Sequence, residues 1–230
     1  MPTPVRPMVG VWWSLPVEFG FYLLLPLLAL AMRPRLWLPL LAIGLLISVL
    51  YRHAAAVRFG AYGEDWVFVA ASHLPGSLAE FLLGASAALL AQYAALAKWR
   101  QPPAWVLDAG FVGGLVLPGI WLWQCVLPAG PAYWLGHWSM LVGPIALGVP
   151  LSVAVFCLYR GSRLGKLLLA NPVVYRLGLV SYSLYLWHFV VMQQIIKLYG
   201  PAWAELPHWL TFPLAAVAVL PVATSSYYLV

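Results

Sequence analysis

Charge is what this sequence lacks. Only 8% of its 230 residues are Asp, Glu, Lys or Arg, against about 25% in soluble globular domains. A soluble fold of this size cannot cover its surface with so few ionic groups. A water-exposed globular protein is thereby excluded, and lipid is left as the solvent. Regular period-2 segments of about ten residues are missing too, which argues against an outer-membrane barrel. Cysteine is nearly absent. Cys125 and Cys157 lie in or beside apolar runs without metal-like spacing, so neither a disulfide framework nor a zinc site is supported. His53, His137 and His208 share no fixed spacing and give no metal signature. Residues 1–10 hold three prolines and one Arg. They lack the basic start, short apolar core and small-residue cleavage site of a secretory signal.

What is present is apolar length. The chain is 64% hydrophobic with a mean hydropathy of +0.90. Runs of about twenty apolar residues, broken by charge and Pro clusters, read as membrane spans. Seven are expected, over 14–32, 36–51, 73–97, 104–124, 134–159, 174–198 and 206–229. The fold class is therefore all-α, a polytopic transmembrane bundle forming a single domain over 1–230. The stretch 52–72, with Arg58, Glu64 and Asp65, is expected as a loop.

The net charge of +6 does not point to nucleic acid, because Lys and Arg sit in short connections where they set topology. Arg33, Arg35, Lys98, Arg100, Arg160, Arg163, Lys166 and Arg176 fall on one side. Arg6, Arg52, Arg58 and Lys197 fall on the other, offset by Glu64, Asp65 and Glu205. The positive-inside rule then puts the N-terminus outside and the C-terminus in the cytoplasm. Trp121, Trp123, Trp134 and Trp138 become an external aromatic belt.

Polar groups within the spans are the candidate functional residues, since ionisable groups at membrane depth are costly. Ser14, Glu18 and Tyr22 are spaced i, i+4, i+8 and share a helix face. Glu18 reads equally as a base, relay or orienter, or as a carboxylate favoured by the helix N-terminus. Glu80 is expected on a face of small residues with Gly84, Ala87 and Ala88 that lets another helix approach. A paired structural carboxylate is the blander reading. Ser181, Tyr185 and His188 share a face with Gly178. Ser181 and His188 lie two turns apart, about 10 Å along the axis, which is too far for a nucleophile–base bond. Asp108 reads as a satisfied interfacial carboxylate, and Gly113, Gly114 and Pro118 as marks of close packing and a kink.

Several of these stretches agree with one known family. WSLPVEFGFYLLLPLL, from Trp13, resembles the WSL-x-VE-x-x-FYLL-x-P segment of the acyltransferase 3 family of membrane O-acyltransferases. GSLAEFLLGASAALL is similar to its PEFLLG stretch, and RLGLVSYSLYLWHFVVM to its G-x-x-SYSLYLWHFP-V element. The closing TSSYYLV resembles the family's last helix, which usually continues into ERPF. The first and third elements are specific, and the other two are weak alone. Phe19 and Gly20 stand where the family's VEEQFY form has Glu and Gln, leaving Glu18 as the polar candidate.

The resemblance implies transfer of an acyl group, commonly acetyl, from an acyl-CoA-type donor to a hydroxyl of a sugar, lipid or polysaccharide. The implied fold has about ten membrane helices, with the catalytic His and its companion Arg on a first helix upstream of Trp13. On that reading three helices are missing and the chain is an inactive fragment with half a site. Glu18 is its supporting catalytic residue. Trp13, Ser14, Tyr22, Glu80, Ser181, Tyr185 and His188 shape the cavity, and there is no metal and no tightly bound cofactor. Its expected surroundings are a plasma membrane (the inner membrane in a bacterium), the donor, and a hydroxyl-bearing glycan or lipid. A proton-coupled transporter or flippase using Glu18 and Glu80, or a non-catalytic packing fragment, are the alternatives.

Overall fold

The computed structural model describes residues 14–31 and 36–229, with the backbone alone at 31, 201, 202, 204, 208 and 209. Trp13 lies outside the described residues. Every regular element among them is helical. In chain order these are α1 (Ser14–Ala31), α2 (Trp37–Phe59), α3 (Glu64–Ala71), α4 (Leu74–Leu96), α5 (Ala104–Trp121), α6 (Trp138–Arg160), α7 (Arg163–Leu169), α8 (Pro172–Glu205) and α9 (His208–Leu229). Six of the described helices are long and apolar enough to cross a membrane. The protein is a multi-pass helical bundle. Six spans rather than seven satisfy that length, because the described apolar stretch of α1 runs only over Ser14–Leu30. At 1.5 Å per residue it falls short of a hydrocarbon core about 30 Å thick.

The described residues pack as two compact units, one within residues 14–168 and one of residues 169–229. In the first, α4 lies beside α1, α2 and α6, and α5 packs along α6. Small residues let these helices approach. A Cβ on Gly114 would lie 2.4 Å from the Pro150 carbonyl oxygen, and one on Gly110 would lie 2.5 Å from Cys157 Sγ. The pair is thus a GxxxG contact between α5 and α6. Gly113 meets nothing within 4 Å, so of the two adjacent glycines only Gly114 serves the packing. Beyond Pro118 the helix re-spirals as a π-turn, Leu122–Val126.

The expected loop over 52–72 is instead helical. α2 continues to Phe59, a 3₁₀ turn spans Gly60–Tyr62, and α3 follows. The helix passes Arg52 and His53 because Ala54, Ala55 and Ala56 are strong helix formers and the Arg52 guanidinium finds partners across on α4.

In the second unit α8 and α9 run against each other. Asn171 caps α8 by accepting from the amides of Val173 (3.1 Å) and Val174 (3.0 Å), and Pro172 occupies the first turn, where its missing N–H costs nothing. The long helix breaks at Gly200, whose φ of 48° and ψ of −125° are non-helical. The spanning part therefore ends near the expected position 198.

Candidate functional site

α1 sets the first group of polar residues. It docks on α4 through Val17 and Phe21, both buried, with the Phe21 ring stacked on Phe81 at 4.1 Å. This apolar face turns the neighbouring polar one partly outward. The Ser14 hydroxyl donates to Glu18 Oε1 at 2.9 Å, as the i, i+4 spacing predicts. Tyr22 is 62% exposed, so the structure groups Ser14 with Glu18 and leaves Tyr22 at the periphery.

The most deeply set charge among the described residues of the first unit is Arg52, which opens the stretch expected as a loop. Arg52 lies buried on α2, one turn after Ser48. A buried guanidinium must be hydrogen-bonded and paired, and both conditions are met. Its Nε donates to the Gly76 carbonyl at 2.8 Å, and its Nη2 lies 3.3 Å from Glu80 Oε1. Ser48 donates to the same carbonyl at 2.6 Å. Gly76 makes this possible, since a Cβ there would sit 1.9 Å from the Ala71 carbonyl oxygen. Only a residue without a side chain brings the first turn of α4 so close to the end of α3.

Glu80 is thus the paired carboxylate of the blander reading. Its side chain stays 43% exposed. Of the small residues expected on its face, Ala87 is buried while Gly84 and Ala88 are exposed, and Gly84 has nothing within 4 Å of a built Cβ. The close approach to α4 occurs elsewhere, at Gly44 of α2 against Leu82. The signal for Arg52 was present in the sequence. It sits four residues after Ser48 in an apolar run that the alanines carry onward.

Near the pair, Tyr133 stands in the 3₁₀ turn Gly130–Tyr133, outside the spans. Burial pushes its phenol above the ordinary tyrosine range. Tyr133 and Trp134 meet edge-on, as do Trp134 and Phe68, at 4.9 and 4.8 Å. Trp121 and Trp138 form a second edge-on pair at 5.3 Å. Of the four tryptophans expected as a belt, Trp121, Trp134 and Trp138 thus make ring pairs, and Trp123 is 73% exposed. Asp108, at the far end of α5, accepts from Ser162 Oγ (2.7 Å) and from the Leu164 amide (3.0 Å). It ties α5 to the start of α7 and is a satisfied carboxylate.

The second unit holds a cleft of about 780 Å³ between α8 and α9, lined by Tyr185, His188, Met192, Trp203 and Thr211 among mostly apolar neighbours. His188 Nδ1 lies 2.7 Å from the Tyr185 carbonyl oxygen, and the two rings are 5.7 Å apart. A carbonyl only accepts, so the proton belongs on Nδ1 and Nε2 is left as an acceptor. Ser181 does not line this cleft; its hydroxyl donates to the Gly178 carbonyl at 2.7 Å. The structure therefore brings together Tyr185 and His188, and leaves Ser181 on its own helix. Among the described residues no three His, Cys, Asp or Glu side chains cluster as metal ligands.

No curated protein and no solved structure matches the chain. A family model does: that of the acyltransferase 3 domain, over residues 4–228. That match takes in both packed units, with the α1 stretch, the start of α4 and the SYSLYLWH segment of α8. On this evidence the chain belongs to the acyltransferase 3 family.

Proposed function

We propose that the protein is a membrane O-acyltransferase that moves an acyl group, commonly acetyl, from an acyl-CoA-type donor to a hydroxyl of a sugar, lipid or polysaccharide. The observation that carries this reading is the family match across residues 4–228. In the transfer the acceptor oxygen bonds to the thioester carbonyl carbon and the C–S bond breaks. The proton leaving the hydroxyl ends on the departing thiol. General-base assistance to that proton is worth about 10²–10⁴-fold in such reactions.

Within this reading His188 binds and orients a hydroxyl, because its Nε2 is an acceptor on a ring that lines a mostly apolar cleft. Glu18 orients polar groups at the external mouth of a membrane cavity, with Ser14 as its hydrogen-bond partner and the exposed Tyr22 at the rim. Glu80 holds the helices together through Arg52, a structural duty that weighs against a proton-relay role. The donor is a co-substrate rather than a resident cofactor.

The protein resides in a plasma membrane, with the α4–α5 connection and the α6–α7 turn in the cytoplasm. Within the first unit these carry Lys98, Arg100, Arg160, Arg163 and Lys166 against the single carboxylate Asp108. The opposite end carries Arg52 and Arg58 against Glu18, Glu64, Asp65 and Glu80. Such asymmetry orients a bundle.

The test is transfer of radiolabel from acetyl-CoA into glycan and lipid fractions by membranes containing the protein. Ester label released by hydroxylamine is the expected result. Donor-independent proton uptake into proteoliposomes, without label transfer, would sink the proposal in favour of a transporter. For His188, the Gln variant, which keeps an acceptor atom, should retain several-fold more transfer than the Ala variant. Equal loss in both would remove the hydrogen-bonding role.

A further inference from the structure

The cation-rich end of the first unit carries a feature to which the proposed acyl transfer assigns no role. Two apolar cavities, about 430 and 290 Å³, share Trp37, Leu90 and Trp99 as common walls. The outer one is bounded by Tyr93 and Leu96 of α4, the inner one by Val153 and Phe156 of α6. The outer cavity opens on the flank of α4, where Leu96 is 75% exposed. Exposed apolar side chains on a spanning helix suit contact with lipid tails.

The lining of both cavities of this slot is apolar or neutral, and cations adjoin Trp99, a wall that both share. Lys98 and Arg100 bracket Trp99, and Arg160 Nη2 donates to the Trp99 carbonyl at 3.3 Å. Arg163 and Lys166 follow in α7. Asp108, the one carboxylate at this end among the described residues of the first unit, is engaged by Ser162 and the Leu164 amide. Lys98 adds an independent indication. It closes α4 in a left-handed conformation, φ 49°, where the Trp99 amide reaches back to the Ala94 carbonyl at 3.0 Å. Glycine is the usual residue in that position, because a side chain there is strained. This sequence keeps a cation there in spite of the strain. The same turn folds Trp99 back so that its ring meets Tyr93 edge-on at 5.9 Å.

We infer that this slot holds an anionic phospholipid, one acyl chain between Trp37, Leu90 and Trp99 and the phosphate-bearing headgroup at Lys98, Arg100 and Arg160. Anionic lipid is concentrated in the cytoplasmic leaflet, and clustered Lys and Arg beside a span attract it. Tryptophan at that level suits the interface. The lateral opening favours an occupant that arrives from the bilayer over a water-soluble one. The inference rests on the proposed cytoplasmic placement of this end, but uses neither α1 nor the α8–α9 cleft.

The test is native mass spectrometry of the purified full chain, loaded with phosphatidylglycerol or phosphatidylcholine of identical chains. The expected result is retention of phosphatidylglycerol about tenfold above phosphatidylcholine. Lys98→Gly with Arg100→Gln should bring the two lipids level without lowering the melting temperature, because glycine relieves the strained turn. Ser152→Phe, which fills the inner cavity, should weaken retention of both. Equal retention of the two lipids by the unaltered protein would overturn the proposal. So would unchanged retention in either variant. Displacement of bound phosphatidylglycerol by stoichiometric acyl-CoA would give the slot to the donor instead and overturn it equally.

Discussion

Glu18 and Gly76 illustrate two ways in which a single residue matters in this bundle. Glu18 sits at the opening of α1, hydrogen-bonded to Ser14 and only partly buried. Replacing its carboxylate with an amide leaves the packing face of Val17 and Phe21 untouched. Glu18→Gln is therefore expected to abolish acyl transfer while protein abundance in membranes stays unchanged. Transfer at the unaltered rate would remove Glu18 from the site. Gly76 acts through space alone. Gly76→Ala drives a methyl into the Ala71 carbonyl, and overpacking of this kind costs about 1–3 kcal/mol. A lowered melting temperature in detergent is the expected readout, and an unchanged one would show that α3 can move aside. Tyr133 gives a pH-dependent counterpart. Its folded-state pKa is raised by burial, so the unfolded chain loses the phenolic proton first as pH rises. Stability from this group is complete below about pH 10 and declines above it. Tyr133→Phe should flatten that alkaline decline in thermal melts between about pH 9 and 11. An identical decline in both proteins would exclude the effect.

The helices show where sequence was sufficient. α4 and α5 begin within a residue of their expected starts, because His73-Leu74-Pro75 and Pro103-Ala104 punctuate the chain sharply. The i, i+4 geometry of Ser14 and Glu18 was also legible, being a property of one helix. What required tertiary knowledge was the fate of Arg52. A charge in an apolar run resembles a span boundary until a partner is found, and that partner lies 28 residues away on another helix. The same limit affected the face of Glu80, since spacing names the residues on a face but not which face meets a neighbour. Small residues at Gly84 and Ala88 face outward, and those at Gly44, Gly110 and Gly114 carry the packing. The family motifs were legible because short strings such as SYSLYLWH are specific in order and type, independent of any packing.

At the scale of the whole molecule, the segregation of charge within residues 14–168 makes a statement about topology that chemistry can check. With Cys125 replaced by Ser, a cysteine placed at Tyr62 is expected to react with a membrane-impermeant maleimide in intact cells. One placed at Gln101 should react only after permeabilisation. The reverse pattern would invert the bundle. Both positions are exposed and lie in connections rather than in the packed helices.

The Arg52 contacts also bear on how the protein is made. An unpaired arginine costs about 2.5–3.5 kcal/mol to insert at the centre of a spanning helix and less towards its end, where Arg52 lies. α2 emerges from the ribosome before the Gly76 carbonyl and the Glu80 carboxylate that satisfy this charge exist. The many apolar residues of α2 work against that cost, and its partners on α4 remove it. A nascent chain ending after residue 71 is therefore expected to integrate α2 less efficiently than one extended through Leu96, and equal glycosylation-mapped integration of the two would exclude the effect.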